Sequence, residues 1–286
     1  MEADNKRNYR LGIALSGGGV RGFAHLGALQ AMNERGIYPD MISGTSAGSL
    51  AGVFYADGYR PDEIYNMFRN IKFSEVAGTT IPHGGLFKTK KFHSFLEKYL
   101  RAKTFEELTY PLKVIASDIE YGKIKIFAEG ELLPAVIASC TVPIVFTPVE
   151  IDGHFYVDGG LFMNFPVSVI RPHCTKVIGV NVSPAITMKY EESLKYMIER
   201  TMNYMVGSNT ASERKACDFL IESREVSAYS IFDFKYIDTI YEKGYVTAAA
   251  YLDTYKDEIK REPPKQKPPK KLKDTISAII SSLRKT

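Results

Sequence analysis

Apolar residues in this chain fall into short runs bounded by glycine, proline and acidic turns, alternating with segments where they recur every three or four positions. Leu11-Gly12-Ile13-Ala14-Leu15 is such a run and ends at Ser16-Gly17-Gly18-Gly19, which predicts a buried strand entering a glycine loop. From Arg21 to Arg35, Ala24, Leu26, Ala28, Leu29 and Met32 fit helical spacing, with Gly36 as the stop. Met41-Ile42-Ser43 is the next strand. Helices are predicted over Ala51–Tyr59, over Pro61–Ile71 with proline at its first turn, and around Phe92, Phe95, Leu96, Tyr99 and Leu100, with a short one at Phe105–Leu108. Between them, Ser74–Lys91 has several glycines and no period, which reads equally as a lid or as a plain surface excursion.

Further on, Leu112–Asp118 and Lys123–Phe127 predict a hairpin, Leu132–Cys140 a helix, and Val149–Ile151 with His154–Val157 a second hairpin around Asp152-Gly153. The last third gives a strand at Lys176–Val182, a helix over Glu191–Asn209, a short strand at Phe219–Ile221 and a closing helix over Ile237–Leu252. Composition then shifts. Arg261–Lys273 is a Pro/Lys stretch expected to act as an extended linker. Asp274 can cap a short helix over 274–286, on which Ile276, Ile279, Ile280 and Leu283 share a face. So short a helix must pack on its own domain, on a second subunit as in a homo-oligomer, or on a membrane surface that attracts the lysines.

At 286 residues and 45% hydrophobic content the chain can bury the core of one large α/β domain or two small ones. A net charge of only +4 gives no ground for nucleic-acid binding. Cys140, Cys174 and Cys217 are odd in number and far apart, without metal spacing, and read as reduced structural thiols. Met1–Arg10 has no apolar core and no run approaches the ~18 apolar residues of a membrane span, so a cytoplasmic protein is expected.

The chemistry concentrates in Gly44-Thr45-Ser46-Ala47-Gly48, a G-x-S-x-G pattern. A serine hydroxyl exposed at a sharp strand-to-helix turn needs unobstructed backbone, hence Gly44 and Gly48. The following helix turns the Ala47 amide and the positive end of its dipole toward an oxyanion forming at a substrate carbonyl. Gly17-x-Gly19-x-x-Gly22 also satisfies a dinucleotide fingerprint, with Asp40 about twenty residues on. However, Asp40 precedes the second strand instead of closing it. The same glycines, Gly17, Gly18 and Gly19, can bring backbone amides close to an anionic oxygen as the other half of an oxyanion hole. Asp158 ends a strand, with Gly159 and Gly160 behind it, and is a candidate partner for Ser46; Asp118, ending another strand, is a candidate second acid.

The order Gly17-Gly18-Gly19-Val20-Arg21-Gly22, Gly44-Thr45-Ser46-Ala47-Gly48, Ala138-Ser139 with Pro143, then Asp158-Gly159-Gly160 resembles the patatin-like phospholipase family, over about Leu11 to Tyr251. The resemblance implies a three-layer α/β/α fold with a central, mostly parallel sheet, spanning residues 1–260. It also implies hydrolysis of lipid acyl esters by a Ser-Asp dyad, with Ser46 as nucleophile, Asp158 as base, and Gly17, Gly18 and Gly19 as oxyanion amides. Arg21 is implied as an adjacent cation supporting that loop, and neither calcium nor another cofactor is implied.

The residues speak against the rival Ser-His-Asp triad. Only His173 follows Asp158, and it precedes a strand, at the edge opposite to where ligands bind. His25 among apolar neighbours reads as a core histidine, and His83, His93 and His154 have no matched partner. A dyad requires Asp158 to be buried within reach of Ser46, since a solvated carboxylate with a pKa of about 3.9 is a poor base. The alternative from another class is a non-catalytic lipid or nucleotide binding module on the same fold.

Overall fold

The computed structural model describes residues 8–70, 78–79, 87–187 and 189–259. The segments named above as linker (261–273) and terminal helix (274–286), and most of 74–91, lie outside the described residues. Within the last, only two short strands, β3 (Gly78–Thr79) and β4 (Phe87–Lys88), pair antiparallel.

The frame is one eight-stranded sheet in the order β10-β9-β1-β2-β5-β8-β7, with β6 paired to β5. Its parallel part comprises β1 (Tyr9–Leu15), β2 (Met41–Thr45), β5 (Leu112–Asp118), β9 (Cys174–Asn181) and β10 (Phe219–Glu222). Both predicted hairpins are present: β6 (Lys123–Phe127) runs antiparallel to β5, and β7 (Val149–Ile151) to β8 (His154–Asp158). The second turns at Asp152 and Gly153, both at positive φ, as a two-residue turn between twisted strands requires.

Strand alternation sends side chains to two faces, and each face has its own core. Leu11, Ile13 and Leu15 of β1 enter a large cluster with α1 (Phe23–Glu34), α2 (Ala47–Ala56), α3 (Pro61–Phe68) and α9 (Ile237–Ile259). Ala14 of the same strand enters a second cluster with Met41, Phe165, Val167, Ile170, Cys174 and Val177, built around α6 (Val167–Ile170). Helices on both faces of a mostly parallel sheet make three layers. The remaining helices are α4 (Lys90–Tyr99), α5 (Leu132–Ser139), α7 (Leu194–Lys215) and α8 (Arg224–Ser227). No disulfide links the three cysteines. None of the described helices is long and apolar enough to cross a membrane.

One feature of the sheet matters most for the site. β2 pairs with the first half of β5, ending with Thr45 opposite Ile115; β8, running the other way, pairs with the second half and ends with Asp158 opposite Ala116. Because β6 occupies the other edge of β5, the carboxyl ends of β2 and β8 meet head to head on its free edge.

Candidate active site

Ser46 follows β2 directly and holds φ 53°, ψ −123°, a conformation that costs a non-glycine residue about 1–3 kcal/mol. The strain is held by its neighbours. The Ser46 amide donates to Ser139 Oγ at 2.9 Å, and that hydroxyl donates to the Ile115 carbonyl at 2.6 Å. The Ser46 carbonyl accepts from Ser49 Oγ at 2.7 Å and from Cys140 Sγ at 3.3 Å. The flanking glycines are explained by close approach rather than by φ: a Cβ on Gly44 would lie 2.5 Å from the Gly48 carbonyl, and one on Gly48 2.2 Å from that of Leu15. α2 therefore starts against the sheet backbone, with the amide of Ala47 in its first turn.

Asp158 is 6% exposed and accepts from the Gly160 amide at 2.7 Å. Burial raises its carboxyl from the ordinary 3.8 to about 6; hydrogen bonds from the Ser46 hydroxyl and the Gly160 amide pull the other way. Buried carboxyl and serine hydroxyl are thus neighbours. Asp118 is not part of this pair: it lies opposite Tyr156, at the other end of the β5–β8 ladder.

In the glycine loop, Gly17 departs from its expected role. Its amide donates to the Asn164 carbonyl at 2.9 Å, because the loop must close onto the chain that follows Asp158, so it is not available to an oxyanion. Gly18 and Gly19, at the start of a 3-10 turn (Gly19–Gly22), have no hydrogen-bond acceptor for their amides among the described residues. Arg21 is buried, with Nε donating to the Tyr229 carbonyl at 2.7 Å and Nη1 to Asn203 Oδ1 at 3.4 Å; burial lowers its pKa to about 10. It ties the loop to α7 and the segment after α8.

The described histidines all have their contacts elsewhere. His25 is buried, with Nε2 on the Ser16 carbonyl at 2.7 Å and its pKa lowered by burial to about 4. His173 sits 3.0 Å from Lys113 Nζ at the amino end of the parallel strands, next to the start of β1. His93 faces Glu97, and His154 faces Asp118. Asp40 accepts the amides of Arg10 and Leu11 through Oδ2, also at the amino end, which removes it as a ribose ligand.

A model of the patatin-like phospholipase family matches residues 13–170, just over half the chain, which include the glycine loop, the Ser46 turn and Asp158. The chain belongs to this family. Among its relatives, the uncharacterized NTE family protein Rv1063c of Mycobacterium tuberculosis is 32% identical over 187 residues, covering 64% of this chain and 50% of that protein. Patatin-like phospholipase domain-containing protein 6 of Homo sapiens is 30% identical over 181 residues, covering 60% of this chain and 13% of its own. The chain therefore spans half or less of the length of these relatives. VipD from Legionella pneumophila has a similar fold, with a TM-score of 0.52 at 16% identity, over 86% of this chain and 67% of VipD.

Several residues organising this patatin-like site lie beyond the sequence reading. Asn164, 3% exposed, donates through Nδ2 to the Gly17 carbonyl at 3.3 Å, and its amide donates to Asn209 Oδ1 at 3.0 Å. Asn209 Nδ2 donates in turn to the Gly160 carbonyl at 3.0 Å. Two asparagines thus bridge the glycine loop, the Asp158 turn and α7. Sequence could flag only Ser139, through its Ala138-Ser139 block; an asparagine 45 residues from its partner carries no local signal.

Proposed function

We propose that this chain is a serine acyl hydrolase cleaving fatty acyl esters of lipids, with Ser46 as nucleophile and Asp158 as its base. Family membership supports lipid acyl hydrolysis as the class of chemistry. What carries the residue assignment is the pairing of a serine held at a strained turn with a buried carboxyl whose pKa is raised to about 6.

Asp158 takes the proton from the Ser46 hydroxyl as the oxygen attacks the ester carbonyl. The negative charge arising on the carbonyl oxygen meets the amides of Gly18, Gly19 and Ala47, with the positive end of the α2 dipole behind them. Collapse releases the alcohol, which receives the proton from Asp158, and leaves an acyl-serine. Water, deprotonated by the same carboxylate, then attacks the acyl carbonyl; fatty acid departs and Ser46 recovers its proton. Burial suits the aspartate to its role as base in both halves, because a carboxylate whose pKa is raised to about 6 takes up a proton more readily than a solvated one. Contact with a membrane surface through the basic residues beyond 260 belongs to the same reading, and liposome binding with and without residues 263–286 tests it.

The deciding experiment is intact-mass spectrometry after treatment with a fluorophosphonate, with and without detergent. A single adduct on the wild-type chain, absent in Ser46→Ala and slowed in Asp158→Asn, supports the dyad and justifies a screen of phospholipid, lysophospholipid and neutral ester substrates. A folded chain that takes no adduct under either condition overturns it in favour of a binding module.

A further inference from the structure

Apart from the dyad, the tips of two hairpins converge. Asp118 closes β5, Glu120 lies in the turn to β6, and His154 opens β8. The sheet brings them together: Asp118 stands opposite Tyr156, and the Ile119 amide donates to the Phe155 carbonyl at 3.0 Å.

Asp118 is 2% exposed. Its Oδ1 accepts the amides of Glu120 at 3.1 Å and Tyr121 at 2.9 Å, which fixes the carboxylate plane and leaves Oδ2 facing His154. His154 Nδ1 is 3.6 Å from Oδ2, too far for a hydrogen bond. That nitrogen is shielded from solvent and has no hydrogen-bond partner, while the imidazole edge lies among the rings of Tyr121 and Tyr156, with centroids at 5.4 and 6.3 Å. One donor atom from each of Asp118, Glu120 and His154 lies within 4.8 Å of the others. Lys123, opposite Asp118 in register, has its ammonium over the Tyr121 ring, 4.7 Å from the centroid.

An unpaired, shielded imidazole nitrogen facing a fixed carboxylate across such a gap matches the spacing of two ligands on one ion. Donors about 2.1 Å from a metal and roughly 110° apart stand about 3.4 Å from each other. We propose that Asp118, Glu120 and His154 bind a divalent transition-metal ion of the zinc type, through one imidazole nitrogen and two carboxylate oxygens, with water completing the shell. The nitrogen donor favours Zn2+ over Ca2+, which prefers six to eight oxygens. His154 and Asp158 are the first and last residues of β8, so the ion would fasten that strand to β5 at the end remote from the dyad, as a cross-link without a part in acyl transfer.

The test uses the full chain, stripped with EDTA and titrated with Zn2+, in equilibrium dialysis read by elemental mass spectrometry and in thermal melts. One Zn2+ per chain is expected, with affinity at least tenfold weaker in His154→Ala and Glu120→Gln, and a Zn2+-dependent rise in melting temperature that His154→Ala lacks. His93→Ala is the control, because His93 Nδ1 and Glu97 form another imidazole–carboxylate pair, 3.8 Å apart, and it should bind like wild type. Absence of Zn2+ from the wild type, equal affinity in His154→Ala, loss in His93→Ala instead, or preference for Ca2+ would each overturn the site. The first of these would leave Asp118 and His154 as an imidazole–carboxylate contact without a metal.

Discussion

Thr45 and Asp158 stand opposite adjacent residues of a single strand, Ile115 and Ala116. Since Ser46 follows Thr45, Ser46 and Asp158 are both registered on β5, and their separation is set by a ladder of backbone hydrogen bonds rather than by loops. If this pair performs the chemistry, Ser46→Ala should abolish ester hydrolysis, and Asp158→Asn should lower kcat by about 10²- to 10⁴-fold while the fold persists. Steady-state kinetics on a chromogenic ester, with circular dichroism as the control, checks both.

The pH profile should report the buried carboxyl. A base works only when ionised, so kcat/KM should rise tenfold per pH unit below about 6 and level off above it. A profile already flat by pH 4.5 would remove Asp158 as the titrating base.

The same burial has a consequence for stability. Between pH 3.8 and about 6 the folded chain keeps a proton that the unfolded chain has lost, so the aspartate costs stability progressively as pH rises through that window, and fully above it. Asp158→Asn carries no such cost. It should be more stable than wild type at pH 8 by about 2 kcal/mol relative to the difference between them at pH 4, as read by chemical denaturation at the two pH values.

Ser139 is expected to matter without touching substrate. Its hydroxyl links the Ser46 amide to the Ile115 carbonyl, so Ser139→Ala strands two buried backbone groups, at a cost of about 1–3 kcal/mol. The variant should lose kcat with KM little changed, whereas Ser139→Thr, if accommodated, should recover part of it.

Much of this was legible in the sequence, for identifiable reasons. β5, β6 and β7 have the predicted bounds because each is a short run between turn residues, and the elbow was visible because its glycines are demanded by backbone contact at 2.2–2.5 Å. The apolar spacing places α2 at Ala51–Tyr59. It runs Ala47–Ala56, and, with almost every position buried, it lacks the polar stripe that marks a helix start. The spacing predicts α7 over Glu191–Asn209, but it runs Leu194–Lys215, capped by Ser193. Sequence alone offers the Gly17 amide to an oxyanion, because it cannot reveal that the carbonyl of Asn164, 147 residues away, takes it. The head-to-head meeting of β2 and β8 depends on which strand each chooses to pair with, a tertiary decision with no local trace.

Gly22 presses on Ala47 so closely that a methyl on it would come within 2.6 Å of the alanine Cβ. Together with the contact of Gly48 on Leu15, this packs β1, the glycine turn and α2 into one unit that carries Ser46 and every proposed oxyanion donor. Ser46 is only 8% exposed and is bordered by the segment that begins at Ser139 and Cys140, whose side chains hold its amide and its carbonyl. There Ile144, 64% exposed, holds φ 72°, a costly conformation for a β-branched side chain. A side of the site that leaves no room for an added methyl thus meets one that exposes a strained apolar residue, so substitution at Ile144 leaves the glycine contacts as they are.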